Sequence, residues 1–346
     1  MTDDPRRADP AAWPAHGDWA ERLRFALNWA VLAPSGHNTQ PWRFRIAGGE
    51  DPRVEVLADR SRALPVVDPE DRELAISCGA AAEALAVALR RFGRAAEVAG
   101  PAGGADPDRM ATVRPGDAIE PTEADRVVFA ALTERRTVRS AFADEPPPAA
   151  LVERLARAAA TRGASLTAVA DADRRRAIAA LVAEGDRRQF ADPAFRRELS
   201  SWVHSRRAAG RDGLSGASFG MPDVLSGVGA LVIRTFDLGK GVAAADETKI
   251  AEHSPLLAVL ATPGDRPADW VAAGRALMRV LLEATAAGTD AGYLNQPIEV
   301  ADLRGPLRDA AGVFETPQLL LRLGRVPPDT DRPPPTPRRP VGDVVV

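Results

Sequence analysis

Apolar residues recur at helical spacing from Trp19 to Leu32, through Leu23, Phe25, Ala26, Leu27, Ala30 and Val31. The helix they predict stops at Pro34, because the residue before a proline is pushed out of the helical region. A Gly/Asn/Thr loop follows, and then Trp42 to Ile46 alternates as a strand. The turn Gly48-Gly49-Glu50-Asp51 folds Val54–Leu57 back on it as a hairpin. Asp68 or Asp71 can cap the next helix, which runs to about Arg91 and is almost solid alanine and leucine. A helix apolar on most faces belongs in a core or between two lobes.

Residues 101–123 form a Gly/Pro/Asp-rich joint with one short strand, Met110 to Arg114. Beyond it the pattern predicts helices over Glu123–Arg135 and Ala149–Arg162 and a strand over Ser165–Ala170. Two polar helices follow, over roughly 172–190 and 193–208, and then a Gly/Ser-rich stretch from Gly210 to Gly227. Strands are expected at Ala230–Phe236, Leu256–Ala261, Ala291–Asn295 and Gln318–Leu323, with a long helix over Ala268–Ala287. Residues 1–16 form a disordered or loosely draped arm, and Arg325 to Val346 a proline-rich extended tail.

One internal similarity organises these elements. Gly79 to Gly93 and Gly274 to Gly288 each place thirteen residues of apolar helix between two glycines. Each helix leads to a strand ending in glycine, at Gly116 and at Gly324. Upstream, the helix and strand at 19–33 and 42–46 parallel those at 149–162 and 165–170. The chain therefore divides into two diverged copies of one α+β unit, over 17–118 and 119–326, with the tail at 327–346.

Composition changes this picture little. The 346 residues are 45% hydrophobic and 27% charged with a formal net charge of −3, a globular profile that points to neither nucleic acid nor a membrane surface as partner. Lys240 and Lys249 are the only lysines, so the basic chemistry rests on arginine. A single cysteine, Cys78, excludes an internal disulfide, and His16, His37, His204 and His253 lack metal-ligand spacing. No apolar run approaches the roughly 18 residues of a membrane span, and the N-terminus lacks a signal-peptide core, so a cytoplasmic protein is expected.

Two segments carry candidate chemistry. Pro34 to Trp42 sets a rigid proline, Ser35 and Gly36, then Asn38 and Gln40, between a helix end and a strand. It offers backbone N–H groups, a hydroxyl and two amides at close range to a flat polar ligand; on composition alone it is equally a helix C-terminal turn. Arg135-Arg136-Thr137-Val138-Arg139 places Arg135, Thr137 and Arg139 on one side of an extended segment, where guanidinium forks match a phosphate, although a solvated basic loop has the same composition. Arg338-Arg339 forms a second basic patch.

Together, Ala-Pro-Ser-x-x-Asn-x-Gln-Pro-Trp at 33–42 and Arg-Arg-Thr-x-Arg at 135–139 resemble the two sequence marks of the nitroreductase family of FMN flavoproteins. The likeness extends through Gly274–Gly288 and Pro317–Gly324 to the tail arginines. In ordinary members the arginine mark comes first and two subunits share each site. Here the order is reversed, and the second half has Ala160-Thr-Arg-Gly-Ala-Ser165 where its own loop would stand. The resemblance is closest to the fused, twin-nitroreductase branch typified by the mycobacterial Acg proteins. It implies a nitroreductase-like α+β fold, a nitroreductase dimer in one chain with mostly antiparallel sheets, acting as a monomer, with one complete site built across the halves.

The same resemblance implies roles. Arg135 and Thr137, with Arg338 or Arg339, hold the FMN phosphate, Arg136 beside them also binds the cofactor, and Arg139 sits at flavin N1/O2. Pro34, Ser35, Gly36, Asn38 and Gln40 line the other wall, and the backbone of Leu294-Asn295-Gln296 faces flavin N5. No protein side chain is expected as an acid–base catalyst, and His37 is expected to be a packing or surface residue. NAD(P)H is the expected donor and the acceptor is left open. Residues 210–227 are a candidate lid or else a surface insertion, so reductase and FMN-storage protein both remain open.

Overall fold

The computed structural model describes residues 4–101, 106–204, 210–215, 241–244, 250 and 253–346. The first half opens with helix α1 (Trp19–Ala30), whose start is fixed by a capping box: Asp18 accepts from the Glu21 amide and the Glu21 carboxylate from the Asp18 amide. The expected hairpin follows as β1 (Trp42–Ala47) and β2 (Arg53–Ala58), paired antiparallel from Trp42–Ala58 to Ala47–Arg53. Helix α2 (Arg72–Arg91), β3 (Arg94–Ala99) and β4 (Arg109–Ala118) complete the half.

The second half holds α3 (Glu123–Glu134), α4 (Ala149–Ala160), β5 (Ser165–Val169), α5 (Ala172–Ala191) and α6 (Pro193–Ser201). The two-residue strands β6 (Val203–His204) and β7 (Leu214–Ser215) pair with each other. Then come β8 (Leu256–Thr262), α7 (Pro267–Ala286), β9 (Asp290–Tyr293), α8 (Gln296–Glu299), α9 (Arg304–Ala311) and β10 (Thr316–Gly324).

The two four-stranded sheets have one topology. The first runs β1-β2-β4-β3 and the second β5-β8-β10-β9, so each places its first, second, fourth and third strands in that order. All the ladders in both sheets are antiparallel. The repeated glycines have a structural cause. Helices α2 and α7 cross where a Cβ on Gly79 would lie 2.3 Å from the Val271 carbonyl oxygen, and one on Gly274 would lie 1.9 Å from that of Ile76. The second glycines, Gly93 and Gly288, end the helices with φ of +78° and +70°, a left-handed turn that favours glycine. Every residue of α2 from Arg72 to Leu89 is buried, as its apolar faces predict. A single core joins α1, α2, α3, α4 and α7 with both sheets, while α5, α8 and α9 close a smaller core on the outer face of β8 and β10.

Several expectations need adjustment. The strand drawn at Met110–Arg114 is longer, and its partner β3 was not anticipated. Arg94-Ala-Ala-Glu-Val-Ala is only half-buried and continues the alanine-rich texture of α2, so it carries little strand signal. The polar helix expected to reach 208 ends at Ser201. The strand expected at Ala230–Phe236 lies outside the described residues. The arm is draped on the body: Trp13 stacks on Phe92 at 4.3 Å between ring centroids. The tail crosses back to the first half, where Phe44 N–H donates to the Val344 carbonyl (2.8 Å) and Val346 N–H to that of Phe44 (3.0 Å).

Candidate cofactor site

The loop after α1 is held in a costly conformation. Between Ser35 and Pro41 three non-glycine residues occupy the left-handed region, His37 (φ 48°), Asn38 (φ 55°) and Gln40 (φ 52°). Such backbone persists only where its surroundings over-determine it. Here the Ser35 hydroxyl accepts the Gln40 amide at 2.9 Å. The Asn38 side chain donates to the carbonyls of Gly213 (3.0 Å) and Pro337 (3.3 Å) and accepts from Arg338 (2.9 Å). Gln40 donates to the Arg211 carbonyl at 2.8 Å and accepts the Arg339 amide at 2.8 Å. Both amides, and the Ser35 hydroxyl, are therefore committed to shaping the loop.

Opposite stands a cationic wall. Arg135, at the C-terminal end of α3, and Arg338, from the tail, both donate to one acceptor, the Leu32 carbonyl, at 3.2 and 3.3 Å. Both side chains are buried, and the Nε of each has no partner. Among the described residues neither is in an ion pair. Burial, and then Arg6 and Arg135, pull the Arg338 guanidinium well below its ordinary range. Arg6 arrives from the arm, and burial with Arg136 and Arg135 nearby brings it down to about 10. The Tyr293 hydroxyl, also buried without a partner, lies among Arg135, Arg139 and Arg338. A buried charge costs several kcal/mol unless it is compensated. This concentration of guanidinium groups therefore matches a multiply charged anion.

The third side is made by α2 and the β9–α8 turn. Glu73 projects between them: its Oε2 lies 3.2 Å from where a Cβ on Gly36 would stand, and its Oε1 is 3.5 Å from the Asn295 amide nitrogen. Burial, and then Glu299, to which it hydrogen-bonds, raise the Glu73 carboxyl well above the usual range. The Asn295 oxygen accepts the Leu320 amide at 3.0 Å and the Gln296 amide donates to Asp186 at 3.0 Å, so both side chains turn away to the frame. Leu294 is buried and bonded through its own N–H to Leu320.

Thus the predicted residues meet across the two halves, with three exceptions in detail. Arg136 turns back to cap α3 through the carbonyls of Thr133 and Arg135 (2.7 and 2.9 Å). Of the tail pair, Arg338 enters the cluster, whereas Arg339 braces the loop from outside through Gln40 and Asp343. Arg139 is exposed and lies near His37, whose imidazole is held down at about 4 by burial and then by Arg139. Thr137 pairs with Ala291, which ties the arginine segment to β9. Sequence reasoning missed Arg6 and Glu73: one lies in a polar arm and the other on an alanine-rich helix, and neither belongs to a motif. A cleft of ≈ 690 Å³ opens nearby beside Trp202, His204 and Asp212, but none of the predicted residues lines it.

The sequence pattern of the nitroreductase family matches residues 132–325, which include the Arg135–Arg139 segment, α7 and both central strands of the second sheet. The chain belongs to the nitroreductase family. Relatives cover the rest. Two Mycobacterium tuberculosis proteins named putative NAD(P)H nitroreductase, Rv3131 and acg, are 34% and 32% identical to it. The alignments span 97% and 93% of this chain and 94% of each relative. Among solved structures, the FMN and NADPH-dependent nitroreductase NfnB of a Sphigopyxis strain is 21% identical, and 97% of it aligns with 63% of this chain at a TM-score of 0.42. Within this nitroreductase, no described helix is long and apolar enough to cross a membrane, and the described residues include no group of three or more His, Cys, Asp or Glu placed to hold a metal ion.

Proposed function

We propose that this nitroreductase-family chain binds one FMN between its halves and works as an NAD(P)H-dependent oxidoreductase, a monomer acting as a pseudo-dimer. The observation that carries the proposal is the buried arginine cluster with two orphaned Nε atoms, which fits a phosphate monoester. Arg135 and Arg338, with Thr137 beside them, would hold the phosphate from the second half and tail. Pro34, Ser35, Gly36 and the loop held by Asn38 and Gln40 would line the cofactor from the first half. Arg139, near His37 and Tyr293, is suited to negative charge at the N1/O2 end, and the backbone of Asn295 and Gln296, beside a Leu294 N–H already bonded to Leu320, to the N5 side. Bound FMN supplies hydride acceptance from NAD(P)H and its passage to an acceptor.

A second reading, FMN storage behind a closed lid, is favoured by one observation. At the start of the 210–227 segment, Gly213 N–H donates to the Asn38 carbonyl at 3.2 Å, and the Arg211 carbonyl accepts from Gln40, so the segment is seated on the cofactor loop. Residues 216–227 lie outside the described ones. One experiment separates the readings. The protein mixed with FMN and desalted is expected to be yellow, and anaerobic NADPH or NADH is expected to bleach it. A yellow protein that stays yellow supports storage, and a colourless one removes both readings.

A further inference from the structure

We propose that the N-terminal arm forms a further wall of this site: Arg6 contacts the phosphate of the bound mononucleotide, and the arm retains it. The inference rests on FMN being the ligand, but it concerns residues that no motif marks. Asp4 accepts the Arg6 amide at 3.1 Å and caps a turn over Pro5–Arg7, with Pro5 buried. A second turn, Pro10–Ala12, is capped by Asp9, and Trp13 beyond it is stacked flat on Phe92. The arm is thus pinned at both ends, and what it carries inward between them is one guanidinium.

That guanidinium is placed against its own electrostatic interest. The Arg6 side chain is 13% exposed, and its Nη2 donates to the Thr336 carbonyl at 2.6 Å. Arg338 donates to the same residue, at 2.7 Å to its hydroxyl and 3.3 Å to its carbonyl. Thr336 therefore holds two guanidinium groups side by side. Among the described residues, the one carboxylate paired with Arg6, Asp4, is 3.6 Å away and 44% exposed, so solvent screens it. Asp290, the acid that faces Arg135 and Arg136, is already engaged by Arg332 at 2.6 Å. Solvent was available to the arm, since the neighbouring Arg7 is exposed. Like charges gathered away from water are accounted for by an anion between them, and a terminal phosphate carries enough oxygens to serve Arg6, Arg135 and Arg338 together.

The test is a fluorescence titration of the full chain and two variants, Arg6→Ala and Arg7→Ala, with FMN and with riboflavin, which lacks the phosphate. Arg7→Ala removes the same charge from the same turn at an exposed position. Arg6→Ala is expected to weaken FMN by about tenfold or more, the loss of one charged hydrogen bond, while riboflavin is unchanged. Arg7→Ala is expected to alter neither. Equal effects of the two variants on FMN would assign the loss to general charge and overturn the proposal. Equal weakening of FMN and riboflavin by Arg6→Ala would reduce the arm to a structural brace and overturn it as well. If the unaltered protein binds neither flavin, the FMN reading falls and the inference with it; if it binds FMN and Arg6→Ala binds as well, only the inference falls.

Discussion

Two side chains set the character of the site. Arg338 is buried beside other guanidinium groups and, among the described residues, is in no ion pair, yet it donates to Asn38, Thr336, Pro337 and Leu32, so it braces the loop while its charge stays uncompensated. Arg338→Met, which strips the Asn38 oxygen and the Thr336 hydroxyl of their donor, should therefore lower the thermal stability of the flavin-free protein and abolish the stabilisation that FMN gives the parent. Differential scanning calorimetry of both proteins, each with and without FMN, checks it, and a flavin-free variant as stable as the parent, or one that FMN still stabilises, would contradict it. Glu73 has the opposite sign of dependence on pH. Its folded-state pKa is raised, so the stability it contributes is complete below the unfolded value of about 4.3 and is lost as pH rises through the folded value. Glu73→Gln, which keeps a donor toward Glu299 and an oxygen toward Asn295, should gain on the parent as pH rises. Unfolding midpoints from about pH 5 to 9 should diverge upward; parallel curves would contradict the assignment. Asn38 and Gln40 were legible in the sequence because they sit in a dense motif. Their actual partners, Gly213, Arg211 and the tail, were not, because those bonds join residues more than 170 positions apart.

At the scale of elements, the repeated glycines carried more information than hydropathy did. Gly79 and Gly274 sit in long apolar helices where glycine costs about 1 kcal/mol relative to alanine, so each had to have a packing reason. The crossing of α2 and α7 is that reason. Gly274→Ala would force a methyl to within 1.9 Å of a backbone oxygen in the centre of the shared core. It should destabilise by about 3 kcal/mol or more in a denaturant titration. Gly49→Ala, in the β1–β2 turn with nothing within 4 Å of its Cβ, should change stability by less than about 0.5 kcal/mol. Equal effects would mean that the helices do not cross as described. The hairpin β1–β2 and the buried strands β8 and β10 were readable because their patterns are strong. Strand β3 was not, since its half-exposed alanines have no period, and only its pairing with β4 makes it a strand.

For the whole molecule, the repeated strand order and the α2–α7 crossing relate the two halves, and the proposed site draws on one interface between them. The loop of the first half meets the arginine segment of the second, and the arm and tail reach in from the two ends of the chain. The corresponding loop of the second half, Ala160–Ser165, lacks the asparagine and glutamine. Its Arg162 is committed to Glu83 at 2.7 Å, an ion pair that binds α4 to α2. An even-handed dimer would hold two cofactors; this chain should hold one. The most direct test is a spectrophotometric titration of the purified, flavin-free protein with FMN, with protein concentration fixed by amino-acid analysis. Saturation at one FMN per chain is the predicted result, and saturation at two, or no binding at all, would contradict the account.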